Sequence, residues 1–526
     1  MDIERRKQLG AYYTPDGVAR SLVRWAVTAH TDRLLDPACG DGRFLAAHTN
    51  SFGVEGDPAA AAALQKRSPK SLIHAGDFFA WAIDTNERFE CAAGNPPFIR
   101  YQRFTGAVRS TALALCAMHG ARFSALSSSW APFLVATASL LKPGGRMAFV
   151  VPAEIGHAPY AAPLLDYLLR CFNTVHIVAV RDRLFPDLSE DCWLLYCEGF
   201  GGKSRSFLFS ALDRFDACEH PPRGVRRVSL AEWQRSGRRL RPFVLPDRTL
   251  DAYRALAESA TTCRLSDIAR VGIGYVTGAN DFFHLRPSLA RSRGIDHRLL
   301  APAVRNGRDL VGTTINASTV EKWMRNDSPN FLLRLDARQD VPQAVKKYID
   351  SDDGRMAREA YKCRNRTPWY VVPDVCVPDA FLSYMSGEAP ALVANHAGCV
   401  ATNSVHVVRM NGTLSVTELQ RRWNDPLTRL SCEIEGHPLG GGLLKLEPRE
   451  ANSVLLRRVV SELHDQESDL QEGIDIMRRW RHLQAATATV STTRSRNMRL
   501  LPSLCQRRRV TRSKRLLLVF RRPAVS

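Results

Sequence analysis

The chain has 526 residues with 45% hydrophobic and 24% charged side chains, a composition that excludes a small disulfide scaffold, a collagen-like repeat and a wholly disordered chain. Its formal charge is +20, from 73 Lys and Arg against 53 Asp and Glu, and a balance of that size points to a polyanionic partner. Eleven Arg and one Lys, with no acid among them, fall in residues 481–526 and leave only +8 on residues 1–480, so nucleic-acid binding has to be argued from particular residues of the body.

The 13 cysteines include no CxxC pair, and the closest two, Cys192 and Cys197, have no His or Cys cluster nearby; no metal is expected. The opening MDIERRKQLG carries no apolar signal core, and no apolar run approaches the roughly 18 residues of a membrane span. A cytoplasmic protein in a reducing compartment, with no membrane partner, is expected.

Along residues 30–200, short β-type runs alternate with helical stretches, the pattern of a mostly parallel sheet covered by helices. Strands are expected at 33–36, 51–55, 71–75, 89–93, 146–152, 175–180 and 191–198, with helices at 58–66 and 131–141 among the connections. Ligands of open α/β sheets sit beyond the carboxyl ends of the strands, near the point where strand order reverses. After the first strand comes Asp36-Pro37-Ala38-Cys39-Gly40-Asp41-Gly42, whose glycines permit a tight turn and close backbone approach to a ligand; alone, Gly-x-Gly is more often an ordinary strand-to-helix turn. After the second comes Glu55, nineteen residues beyond Asp36, where an acid can accept hydrogen bonds from both ribose hydroxyls or simply be a solvated turn acid. After the third, Gly76-Asp77-Phe78-Phe79 offers a carboxylate for an exocyclic amine and an aromatic for an adenine face, although Phe78 by itself reads more readily as core. After the fourth, Asn95-Pro96-Pro97-Phe98 is stiffened by two prolines that cannot continue a ladder.

Four such turns at one edge of one sheet form a single constellation. In the order DPACGDGRF, GVEGD, GDFF and NPPF, they resemble the S-adenosylmethionine-dependent amino-methyltransferases that modify DNA, especially bacterial N6-adenine methyltransferases of restriction-modification systems. Upstream, Gly10-Ala11-Tyr12-Tyr13-Thr14-Pro15 resembles the tenth motif of that family, and its place before the Gly-rich loop is the gamma arrangement. The resemblance implies an α/β fold, a seven-stranded Rossmann-like sheet with helices on both faces over residues 1–200, then a connector at 201–245. A mixed α+β target-recognition domain would follow at 246–480, with a basic tail at 481–526. It also implies S-adenosylmethionine as cofactor, with Tyr13, Thr14 and Pro15 at its methionine end, Asp36, Ala38 and Gly40 around it, Glu55 on the ribose, and Asp77 and Phe78 at its adenine. Asn95, Pro96, Pro97 and Phe98 would hold the target base, and Phe185 resembles the second stacking aromatic, a role its local sequence does not separate from that of a core phenylalanine.

The chemistry follows from the residues. The exocyclic amine of adenine is a poor nucleophile because its lone pair is delocalised into the ring. The Asn95 side-chain oxygen and the Pro96 carbonyl can accept its two hydrogens, and Phe98 can stack on the base after it is flipped out of the duplex. A cytosine carbon-5 enzyme would need a cysteine nucleophile, usually after proline, and no Pro-Cys dipeptide occurs. An N4-cytosine, RNA or protein-glutamine substrate, or an inactive DNA-specificity protein, stands as the alternative; RNA or glutamine substrates leave the long region after Pro246 without a purpose.

That region contains GIGYVTGANDFF at 272–283, PWY at 368–370 and ATNSVH at 401–406, which resemble parts of gamma-type recognition domains. Asn280, Lys362, Arg364, Arg366 and Asn403 are the candidates for phosphate and base-edge contacts. The partner expected is double-stranded DNA, bound by a monomer. No Pro-Asp…Glu-x-Lys set is present, so any cleavage is expected from a separately encoded endonuclease. The tail is expected to have no catalytic role, whether it is a DNA-binding arm or a frame-shifted end.

Overall fold

Strands buried on both faces read as nearly continuous apolar runs, and such runs build the main sheet. The computed structural model describes residues 14–185, 190–217, 221–222, 225–439, 441–459 and 466–482; Tyr13 and residues 483–526 lie outside the described residues. Each expected strand is present: β1 Leu34–Asp36, β2 Ser51–Glu55, β3 Leu72–Ala75, β4 Phe89–Gly94, β5 Leu141–Pro152, β6 Phe172–Val180 and β7 Cys192–Phe200. Two further strands, β8 Ser206–Leu212 and β9 Arg226–Ser229, extend the sheet to the order β3-β2-β1-β4-β5-β7-β6-β8-β9. Strands β1 to β5 are mutually parallel, β7 runs antiparallel between β5 and β6, β8 is parallel to β6, and β9 is antiparallel to β8.

The strand count of seven and the connector at 201–245 are therefore corrected. Phe207 and Phe209 alternate onto the core face of β8 at 0% and 2% exposure, a period-two signal obscured by the glycine-rich stretch before it. β9 has only four residues and a single buried apolar side chain, Val228, too little to stand out in sequence.

Alternate residues of the strands feed two hydrophobic clusters, one on each face. Val175, Ile177 and Ala179 of β6 join one cluster, and Val178 and Val180 the other. Helix Asp16–Ala26 covers the second face through Val18, Leu22 and Val23. Helices Phe78–Asp84, Gly106–Met118, Trp130–Ser139 and Ala161–Cys171 cover the first.

The boundary drawn near Pro246 is not a break in the core. Leu250 and Tyr253, together with Leu427, Leu430, Leu470, Ile474 and Met477 from distant helices, belong to the same cluster as the sheet residues. Beyond Pro246 the chain is mixed α and β, with a five-stranded sheet that includes Ala380–Ser383 and Val405–Met410 and a four-stranded one that includes Leu300–Val304 and Phe331–Leu333.

The tail boundary also moves. Arg481 is completely buried and pairs with Glu433 at 2.8 Å, and His482 meets Asp191 at 2.8 Å. The folded body thus includes both residues, because the Glu433 carboxylate, 2% exposed, requires a buried partner. No described helix is long and apolar enough to cross a membrane.

Candidate active site

Strand order reverses between β1 and β4. From β1 the chain goes outward through β2 to β3, then returns to pair β4 on the other side of β1. A crevice opens beyond the carboxyl ends at such a point, and the turns after these four strands all lie along that edge.

Asp36 ends β1 and is 1% exposed. Its Oδ1 accepts from the Ala38 amide at 3.2 Å, while its buried Oδ2 has no hydrogen-bond partner among the described residues. Burial pushes its pKa up to about 8, and the neighbouring Glu55 and Asp41 carboxylates add to the rise. A buried acceptor without a donor is costly, and a cation or N–H donor arriving beside it would remove that cost. The loop that follows turns through Gly40 and Gly42, both in the left-handed region at φ +51° and +84°. Among the described residues, none beyond its chain neighbours has an atom within 4 Å of the place a Cβ on Gly40 would occupy, so the loop faces open space there. The Gly40 amide donates to Glu55 Oε2 and the Asp57 amide to Glu55 Oε1, each at 2.9 Å. Glu55 thereby locks the Gly-rich loop to the end of β2, and the spare lone pairs of its two oxygens remain for hydroxyl donors. The unsatisfied Asp36 oxygen, the open space at Gly40 and the Glu55 carboxylate fit the ammonium and ribose of S-adenosylmethionine.

Asp77 caps helix Phe78–Asp84, its Oδ1 accepting from the Ala80 amide at 2.9 Å. Phe78 is different from its expected role as an open adenine wall. It is 3% exposed, and its ring stacks on Phe133 with centroids 5.1 Å apart, so its area goes into the core. Thr14 is buried and its carbonyl accepts from Arg43 Nη1 at 2.8 Å. The Pro15 carbonyl accepts from the Val18 and Ala19 amides at the start of helix Asp16–Ala26.

The strand β4 reaches this edge because residue 94 is glycine. A Cβ on Gly94 would stand 2.8 Å from Asp36 Oδ1 and 3.0 Å from Phe149 Cε1, so any side chain would push Asn95 away from Asp36. Phe98 is half-buried and packs against both hydrophobic clusters. Phe185 is 6% exposed within the second of these, alongside Leu184 and Tyr196; the two aromatics meet the same cluster, with Phe185 as a core ring. Arg100, just beyond the loop, pairs with Glu190 at 2.8 Å.

Sequence reading missed two residues here, Gly94 and Ser129. The Ser129 hydroxyl donates to the Pro97 carbonyl and accepts from the Ile99 amide at 3.0 Å. A run of three serines before the apolar stretch from Trp130 is a helix-start signal, but it does not reveal that the hydroxyl serves another loop.

The five recognition candidates are also brought together. The segment 275–280 is bonded on one side to 363–366, through Cys363 Sγ to the Thr277 carbonyl and Arg366 Nη2 to the Val276 carbonyl, and on the other to the Asn403 amide through the Tyr275 carbonyl. Asn280, Lys362, Arg364 and Asn403 are exposed there. Arg366 is partly buried, with one guanidinium nitrogen on the Val276 carbonyl, and so acts as a brace. Among the described residues no group of three or more His, Cys, Asp or Glu side chains could hold a metal ion.

Two family models match the chain, "N-6 DNA Methylase" over residues 3–65 and "Type II methyltransferase M.Eco57I, C-terminal domain" over residues 238–493. The type II methyltransferase M.XamI of Xanthomonas campestris pv. amaranthicola is 23% identical over 467 residues, covering 85% of this chain and 84% of its own. The type II methyltransferase M.AccI of Acinetobacter calcoaceticus is 18% identical over 487 residues, covering 87% and 86%. Among solved structures, the type IIG restriction endonuclease BpuSI aligns over 90% of this chain with a TM-score of 0.42 and 14% identity, and this chain spans 62% of its length. With relatives matched along most of their length and both family models drawn from DNA methyltransferases, this chain is similar to N6-adenine DNA methyltransferases, type II enzymes among them.

Proposed function

We propose that this adenine DNA methyltransferase modifies the exocyclic N6 of an adenine flipped out of duplex DNA, with the base held by Asn95, Pro96 and Phe98 and the cofactor held by the turns after β1, β2 and β3. The observation that supports the reading is the pairing of β4 with β1 at the strand-order switch, where a Cβ on Gly94, the residue before Asn95, would stand 2.8 Å from Asp36 Oδ1. Bound S-adenosylmethionine supplies an electrophilic methyl group on its sulfonium. Thr14, Pro15, Asp36, Ala38 and Gly40 surround its methionine end, with Tyr13 from just outside the described residues. Glu55 takes the ribose hydroxyls and Asp77 the adenine amine.

On the target side, the Asn95 side-chain oxygen and the Pro96 carbonyl accept the two amine hydrogens, drawing the nitrogen lone pair out of conjugation. Phe98 holds the ring plane so that this lone pair stays in line with the methyl group. Phe185, which meets the same hydrophobic cluster as Phe98, is the second aromatic of the stacking site. The motif order is of the gamma type. Asn280, Lys362, Arg364 and Asn403 contact DNA at the recognition edge with Arg366 bracing them, in a target-recognition region beyond Pro246. The chain acts as a monomer, either solitary or as the modification partner of a separately encoded endonuclease. The test is incubation with mixed-sequence duplex DNA and methyl-labelled cofactor. Label recovered as N6-methyladenine supports the reading, and label on N4 of cytosine or on RNA alone rejects it.

A further inference from the structure

A loop containing two consecutive prolines cannot brace itself through its own amides, since Pro96 and Pro97 carry no N–H. Its carbonyls must be held from outside. A serine immediately before a helix normally spends its hydroxyl on the first amides of that helix. Ser129 precedes helix Trp130–Ser139 and makes no such bond. Its hydroxyl instead donates to the Pro97 carbonyl and accepts from the Ile99 amide at 3.0 Å, and its own amide donates to the Ile99 carbonyl at 3.0 Å. These three bonds fasten the chain on both sides of Phe98. Ser129 is completely buried, so no water competes for them. The helix behind it is itself fixed: Ala131 and Leu134 to Ala136 are fully buried, and Trp130 Nε1 donates to the Tyr160 hydroxyl at 3.0 Å, which donates in turn to Glu154 just beyond β5.

We propose that Ser129 is a positioning residue for methyl transfer, fixing the Pro97 carbonyl and Phe98 so that the loop holds the target amine in line. The proposal rests on Asn95–Phe98 being the base-holding loop. Displacing reacting groups by about 1 Å costs about 100-fold in rate, so releasing the loop should act on turnover rather than on binding.

The test is single-turnover methyl transfer per cofactor-binding site by the wild-type chain and by Asn95→Ala, Ser129→Ala, Ser129→Thr, Ser129→Val and Ser127→Ala. Ser127 is also buried but its hydroxyl has no hydrogen-bond partner among the described residues, which makes it a matched control. Ser129→Ala is expected to lower the rate about 10- to 100-fold while the dissociation constants for cofactor and DNA stay within about twofold, with Ser127→Ala at the wild-type rate. Thr and Val have the same shape and share any packing cost, so a rate at least about tenfold higher for Thr than for Val isolates the hydroxyl even if the alanine variant folds poorly. Equal rates for Thr and Val, or a Ser129→Ala rate equal to wild type while Asn95→Ala is inactive, overturn the proposal alone. Full activity of Asn95→Ala overturns the reading of the loop and this proposal with it.

Discussion

Replacing Asp36 with Asn tests the cofactor end of the site through two independent quantities. The Asp36 carboxyl titrates at about 8 in the folded protein, raised first by burial and then by Glu55 and Asp41, against about 3.9 in an unfolded chain. A raised carboxylate contributes most to stability below about pH 4, and that contribution is lost as the pH rises toward 8, because the unfolded state ionises first. The difference corresponds to about 5 kcal/mol at pH above 8 and about 1–2 kcal/mol at pH 5. Asn keeps the bond from the Ala38 amide but buries an N–H pair where the unpartnered Oδ2 stood, at a cost of about 1–3 kcal/mol. Asp36→Asn should therefore raise the free energy of urea unfolding of the cofactor-free protein at pH 8.5 by about 2–4 kcal/mol, and leave it nearly unchanged at pH 5. The same variant should lose cofactor affinity. An ammonium beside Asp36 ionises it, so binding at pH 7 to the wild type should release close to one proton, measured calorimetrically in buffers of different ionisation enthalpy. A variant with the same pH dependence of stability as wild type, or with intact cofactor affinity, refutes this account of Asp36.

Gly94→Ala should weaken cofactor binding and lower stability by about 1–3 kcal/mol, since its methyl would enter the space of Asp36 Oδ1 and Phe149; unchanged calorimetric affinity would contradict the role given to that close approach. Truncation after His482 should leave the melting temperature and methyl transfer intact, whereas Arg481→Ala, which removes the buried partner of Glu433, should destabilise by about 3 kcal/mol in urea unfolding. Paired Lys362→Ala and Arg364→Ala changes should weaken DNA binding several-fold and reduce the slope of log K against log salt by about 1–2. An unchanged slope would remove these two residues from the DNA surface.

The strand-end positions of the candidate residues were legible in the sequence because each follows its strand directly, so Asp36, Glu55, Asp77 and Asn95 could be placed without knowing which strands pair. Strands β4 to β7 were legible for a related reason, since apolar runs buried on two faces differ from everything around them, whereas the edge strand β3, with Leu72 exposed, was marked only by its Leu-Ile pair. What sequence could not show depended on neighbours distant along the chain. Gly94 is required because Asp36 and Phe149 lie beside it, and the Ser129 hydroxyl bonds to a loop thirty residues away. Phe78 shows the opposite failure, because its place in the motif says nothing of Phe133, which covers its ring. Residues 481–526 form one uniform basic stretch in sequence, yet Arg481 belongs to the core, held by the buried Glu433 carboxylate and by the carbonyls of Gly387, Glu388 and Gly442.

The most direct measurement of the central claim is methyl transfer to mixed-sequence duplex DNA by the purified wild-type chain and by Asn95→Ala, with the modified nucleoside identified by mass spectrometry. N6-methyladenine from the wild type and none from the variant, with both proteins binding cofactor equally, is the result expected. N6-methyladenine formed equally by both, or cofactor binding without methylation of any DNA, would contradict it.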